Sequence, residues 1–190
     1  MAISDHDIVQ QVLAGNREAF AHLIERYKTR IFQTTYRMLK NREDAEEAAQ
    51  DTFVRAFRGL AKFRADAAFA TWLYKICYNV CLNYLEKKRH ARPRAPEAEM
   101  ARLTDPVSPD HIFAHREKET LVENALEDLP EHFRQVLILY HAQQLSYQQI
   151  AEILNLPINT VKTHLFRGRA LLRRRILQEL PQKELLAELI

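Results

Sequence analysis

Apolar positions along this chain recur at intervals of three and four residues, seldom at two. The clearest stripe is Phe20, Leu23, Ile24, Tyr27, Ile31, Thr34 with Thr35, and Met38. Such spacing gathers side chains on one face of a helix, so the stripe predicts a helix packed on a core. Ser4 is placed to cap a shorter helix before it, which Gly15 ends, and Asn16 to cap the stripe helix itself. Asn41 opens a third helix that runs to Gly59, with Ala45, Ala49, Thr52, Phe53, Ala56 and Leu60 facing inward. A fourth begins near Phe69, and its core face is Phe69, Trp72, Leu73, Ile76 and Val80.

From about His90 to Pro109 the periodicity stops. This stretch carries prolines and no large apolar cluster, which predicts a flexible linker. Ser108-Pro109 reads as an N-cap and first helical residue, with a helix following toward Leu126. Leu129-Pro130-Glu131 is a break, after which Phe133, Val136, Leu137, Leu139 and Tyr140 restart the helical pattern. Leu145 to Arg175 then reads as helix, turn, helix. Ser146 with Gln149 has the spacing of a capping box. Asn155-Leu156-Pro157 breaks the first helix. The second buries Val161, Leu165 and Leu172 and carries Lys162, Thr163, His164, Arg167, Arg169, Arg173, Arg174 and Arg175 elsewhere. No acidic residue lies between Ile153 and Gln178. A solvated helix face normally mixes signs, so this layout points to a recognition helix for the DNA major groove.

Composition sharpens the picture. With 47% hydrophobic residues and only 3 glycines in 190 residues, the chain can build helical cores, and the expected class is all-α. The net charge of +3 conceals a division: residues 1–92 carry +5, residues 93–120 carry −2, and six of the eight later basic residues fall between Lys162 and Arg175. Positive charge is thus focused twice, as two nucleic-acid contacts would require. Cys77 and Cys81, four apart in a helix, read as small buried residues in a reducing compartment, since a disulfide at that spacing is strained. Neither this pair nor His111 with His115 has further ligands nearby, so no metal and no cofactor are expected. No signal pattern or membrane-length apolar run occurs, so a cytoplasmic protein without membrane insertion is expected.

Two further clusters carry candidate chemistry. Glu43, Asp44, Glu46, Glu47 and Asp51 crowd the start of the third helix. Helix-dipole complementation accounts for part of this cluster, and a docking surface for a basic or polar partner accounts for the remainder. On the fourth helix Lys75, Asn79, Asn83 and Lys87 recur every four residues, flanked by Tyr74 and Tyr78. Amides that read base edges, aromatics that stack bases and cations that hold phosphates suit single-stranded nucleic acid. Asn is a poor helix former, which argues for a use at both positions.

Together these motifs, in this order around a Pro-rich linker, resemble the extracytoplasmic-function class of bacterial sigma-70-type factors. The resemblance rests on GNREAFAHLIERY, DAEEAAQDTFVRAFRGL, KFR and FATWLYKICYNVCLNYL in the first half. In the second half it rests on LEDLPEHFRQVLILYH and LSYQQIAEILNLPINTVKTHLFRGRALLRR. It implies two small helical domains joined by a flexible linker: sigma region 2 over residues 1–92, the linker over 93–109, and sigma region 4 over 110–190. The first would bind the clamp helices of core RNA polymerase through Asp44, Glu47, Gln50 and Asp51. It would read and open the −10 element with Phe63, Arg64, Lys75, Asn79 and Asn83. The second would read the −35 element with Lys162, Thr163, His164, Phe166, Arg167 and Arg169. The implied protein is no enzyme; it initiates transcription of a stress or envelope-signal regulon. Its partners would be core polymerase, promoter DNA and an anti-sigma factor, which is often membrane-anchored in this family.

His164 stands where the family often has Arg, and Gly168 where it often has Ala, a loss of about 1 kcal/mol in helix propensity. The apolar tail from Leu177 to Ile190 is unexplained by DNA binding. Two rival classes are a dimeric helix-turn-helix regulator and a helical metalloenzyme using the acidic cluster. The first lacks a ligand-binding or dimerisation module, and the second lacks a Glu-x-x-His or His-Glu-x-x-His ligand pair.

Overall fold

The computed structural model describes residues 3–63, 68–91 and 121–179. Arg64, the Pro-rich stretch, Ser108-Pro109 and the tail beyond Glu179 lie outside the described residues. Among the described residues every regular element is a helix, as the all-α pattern predicts. The first four are α1 (Asp5–Leu13), α2 (Phe20–Leu39), α3 (Arg42–Gly59) and α4 (Phe69–Ala91). Helical residues 121–127 form α5. They are followed by α6 (Glu131–Leu137), a π-helical turn over Ile138–Ala142, α7 (Tyr147–Leu154) and α8 (Ile158–Glu179).

The caps form as their side chains dictate. Ser4 accepts from the Asp7 amide, and Asn41 from the Asp44 amide. Asn16 caps a short 3₁₀ turn (Arg17–Ala19) that leads into α2. Gly15 has φ 107°, a conformation that a side chain would strain, and it lets the chain turn between α1 and that cap. Ser146 and Gln149 form a complete capping box on α7, and Asn155 ends that helix in the left-handed region.

The described parts of the chain divide into two compact units, one from residues 1–92 with 138–161 and the other from residues 93–137 with 162–190. This division differs from a boundary in the linker alone. Residues 138–161 group with the first four helices because α7 lies along α4.

In the first unit Leu23, Ile31, Ala45, Ala48, Ala56, Leu73, Cys77, Val80 and Cys81 are essentially sealed from solvent. Each fully buried large aliphatic side chain contributes about 1.5–3 kcal/mol. The stripe of alanines on α3 lets it approach α2 and α4 closely. Thr35 then bridges two helices, its hydroxyl within 2.9 Å of both the Phe32 and the Ala45 carbonyl oxygens. Arg26 and Tyr27 on α2 both bond Asp5, which ties α1 to the bundle. Both cysteines are free and buried, as their spacing predicts.

In the second unit Gly168 has a packing role. A Cβ there would meet Leu137 Cδ1 and Phe133 Cβ at 3.2 Å, so the missing side chain lets α8 cross close to α6. Close approach offsets the propensity loss noted from the sequence.

Candidate nucleic-acid interface

The first turns of α8 separate cleanly into two faces. Val161, Leu165 and Gly168 are buried, whereas Lys162, Thr163, Phe166, Arg167, Arg169, Arg173 and Arg174 are exposed. Phe166 is 76% exposed, an unusual position for a large aromatic ring unless a partner covers it. Five of the six residues expected to read DNA therefore share one solvent-facing surface, with no acidic residue among them.

His164 departs from that surface. It is half-buried, and its ring packs against His132 and Phe133 of α6, with centroids 5.0 and 5.4 Å apart. Its Nδ1 is buried without a hydrogen-bond partner. Lost hydration, then the nearby His132 and Arg167, hold its pKa below the usual 6.5, so the ring is neutral at pH 7. The His164 ring thus makes a packing contact that helps orient α8 on α6.

A pH dependence follows. The unfolded chain takes up a proton at His164 near pH 6.5, while the folded unit resists it until lower pH. Stability is therefore full above that value and falls as pH drops through the lowered folded pKa. Urea unfolding at pH 7.5 and 5.5 should show this loss, and His164→Phe, which keeps the aromatic packing, should reduce it.

On α4 the side chains of Lys75, Asn79 and Asn83 are all exposed and lie in one row. Tyr74 does not flank them as expected. It is 2% exposed, its hydroxyl is bonded within the unit, and burial pushes its pKa up to about 12. It cannot stack a base in this arrangement. Tyr78, half-buried, stays at the margin of the row. Phe63 ends the 3₁₀ turn after α3, and its ring packs on Trp72 at 5.1 Å and Phe69 at 5.8 Å. Arg64 itself lies outside the described residues.

The acidic surface of α3 is less uniformly negative than its sequence suggests. Asp44 is ion-paired with Lys88 of α4, and Asp51 with Arg55 at 2.9 Å. Glu47 accepts from the Tyr84 hydroxyl at 3.3 Å and remains exposed beside Gln50. One and two turns further along the same face stand Val54, 43% exposed, and Phe57, 38% exposed. Sequence reasoning passed over these two; apolar residues out of register with the buried Ala49, Phe53 and Ala56 were the available signal. The surface is thus acidic at one end and apolar at the other, as a protein-docking face commonly is.

Among the described residues no three His, Cys, Asp or Glu side chains converge to hold a metal ion, and no helix is long and apolar enough to cross a membrane.

Comparison with known proteins agrees with this layout. Residues 23–91 match the family model for Sigma-70 region 2, and residues 119–172 that for Sigma-70, region 4. The chain is 34% identical to the ECF RNA polymerase sigma factor SigW of Bacillus subtilis, over 88% of this chain and 94% of that protein. It is also 34% identical to the RNA polymerase sigma-H factor of Pseudomonas aeruginosa, over 87% of this chain and 90% of that protein. Among solved structures it resembles CnrH in complex with the cytosolic domain of CnrY. That likeness has a TM-score of 0.68 and 26% identity, and it covers 90% of this chain and 95% of the other.

Proposed function

Because the chain belongs to the extracytoplasmic-function class of sigma-70-type sigma factors, which are transcription initiation factors and not enzymes, we propose that it directs core RNA polymerase to two-part promoters and opens them. Residues 1–92 serve as region 2, residues 93–109 as a connector and residues 110–190 as region 4. The observation that carries the reading is the exposed row Lys75, Asn79 and Asn83 on α4. A duplex-DNA regulator has no need of such a row, whereas a protein that holds unpaired −10 bases does. Phe63 and Arg64 are the proposed contacts to a flipped base. The exposed face of α8 supplies −35 contacts through Lys162, Thr163, Phe166, Arg167 and Arg169, while His164 acts through packing.

DNA opening in this reading is differential binding. The α4 row binds unpaired bases and not the paired duplex, so it shifts the equilibrium toward the melted state. Phosphate contacts set register and base-edge contacts specify sequence.

Glu47, Gln50 and Asp51, continued by Val54 and Phe57, form the proposed docking face for the polymerase clamp helices. Reversing Glu47 to Lys should weaken binding to core polymerase about tenfold and leave duplex binding by α8 unchanged. Fluorescence anisotropy with labelled protein measures both, and equal polymerase affinity for the two proteins would remove α3 from the docking face. An anti-sigma factor is the proposed regulator: a relative of similar fold, CnrH, is solved with CnrY, and a Bartonella quintana RpoE of the same fold is solved with the anti-sigma factor NepR. The cytoplasm, a stress or envelope-signal regulon and a membrane-anchored inhibitor belong to the same proposal.

A further inference from the structure

His132, Phe133 and His164 form one aromatic cluster where α6 meets α8. Ring centroids lie 4.1 Å apart for His132 and Phe133, 5.0 Å for His132 and His164, and 5.4 Å for Phe133 and His164. Phe133 serves two positions of α8 at once. Its ring meets His164 edge to face, and its Cβ lies 3.2 Å from where a Cβ on Gly168 would sit. So close a crossing has little slack, because a packed interior transmits a shift and does not absorb it. Lys162 and Thr163 immediately precede His164, and Arg167 immediately precedes Gly168. The contacts that set the tilt of α8 are therefore interleaved with side chains expected to read DNA.

The cluster suits a neutral His164 and not a charged one. Its Nδ1 is buried without a hydrogen-bond partner, so a proton added there gains no acceptor. The groups that bear on the ring's charge are His132 from α6 and Arg167 from its own helix, and both disfavour the imidazolium. No acid on α8 between Ile158 and Gln178 offsets them. The neighbouring charges of α6 are engaged elsewhere: Glu131 accepts from Gln135 at 2.7 Å, and Arg134 donates to the Glu127 carbonyl oxygen at 3.3 Å. Asp128 lies 3.8 Å from Arg175. A protonated His164 therefore leaves its place against Phe133, driven by desolvation and by like charge.

We propose that His132, Phe133 and His164 form a proton-sensitive hinge that sets the tilt of the exposed face of α8, so that sequence-specific duplex binding is lost on acidification. That α8 reads duplex rests on the function proposed above; the proton-driven movement of the cluster does not. The sign follows from the neutral form being the packed one. Packing is complete above the lowered folded pKa of His164 and is lost as pH falls through it. Ordinary histidines near DNA act the other way, since each added cation strengthens binding to phosphates of any sequence. Acidification should thus erode the preference for one sequence while general DNA affinity holds or rises.

The test uses the full chain and a duplex selected from a random-sequence pool by the wild-type protein at pH 7.5, with a scrambled duplex as reference. Between pH 7.5 and 5.0 the wild-type preference for the selected duplex should fall about tenfold, the size of one lost base contact. His164→Phe should keep its preference within about twofold. His132→Gln, which removes the facing imidazole without altering α8, should show a smaller fall than wild type. In the free protein the Gly168 amide resonance should shift with the same midpoint as the His164 ring proton, and should not shift in this way in His164→Phe. Circular dichroism at both pH values checks helix content. Should His164→Phe lose helix, His132→Gln decides, and an undiminished fall there would overturn the hinge. A wild-type preference that survives at pH 5.0, an equal fall in a folded His164→Phe, or a Gly168 amide indifferent to His164 would overturn it as well. Failure to select any duplex, with the Gly168 response intact, would instead overturn the reading of α8 as a duplex reader and leave the hinge standing.

Discussion

Replacing Asn79 and Asn83 together by Ala should lower open-complex formation by about 10- to 100-fold and leave binding to closed duplex promoter nearly unchanged. The magnitude takes each lost base-edge contact at about 1 kcal/mol, so the pair removes about 2 kcal/mol, or roughly 30-fold at 1.4 kcal/mol per factor of ten. The asymmetry follows from mechanism: in the duplex the bases are stacked and paired, so the two amides contribute only after melting. Neither change should unfold the protein. Both side chains are exposed, and Ala is the better helix former, so stability should hold or rise slightly. Permanganate reactivity of unpaired thymines measures melting, and a mobility-shift assay at low temperature measures closed binding. Equal loss in both assays would mean that the row binds duplex only.

The second large effect is expected at the exposed face of α8. Arg167→Ala should weaken promoter binding about tenfold and relax discrimination against altered −35 sequences, as loss of a base-edge contact does. Lys162→Ala should instead weaken binding to all sequences alike and reduce the salt slope by roughly one, the signature of a phosphate contact. Titrating each variant against a −35 consensus and a scrambled duplex at several salt concentrations separates the two roles. His164→Ala should behave like neither, since its ring faces α6: its effect should fall on thermal stability first and on DNA affinity through that.

Much of this architecture was legible in the chain. The stripe from Phe20 to Met38, the alanine face of α3 and the capping box Ser146–Gln149 each follow from local spacing, and local spacing is what a single sequence displays. The acid-free run after Ile153 predicted the exposed face of α8 for the same reason. The features that escaped depend on partners distant in sequence. Tyr74 reads as a base-stacking aromatic beside Lys75 and Asn79, but its hydroxyl meets Gln143, 69 residues away. His164 reads as a groove residue until α6 brings His132 and Phe133 against it. The π-helical turn at Ile138–Ala142 interrupts a pattern that looks like uninterrupted helix, because an extra residue in one turn leaves the apolar content unchanged. Val54 and Phe57 were missed because a helix stripe directs attention to the residues in register with the core. Gly168 was read as a weakness from propensity alone, and only the approach of Leu137 and Phe133 shows its use.

The central claim is that one chain both recruits polymerase and opens a two-part promoter. Run-off transcription with core RNA polymerase over a library of genomic fragments tests it most directly. The account predicts discrete transcripts only when this protein and core polymerase are both present. Their promoters should share two sequence blocks, and the yield should collapse in the Asn79→Ala/Asn83→Ala protein. Fragments bound by the protein alone, with no transcript from any of them when core polymerase is added, would contradict it.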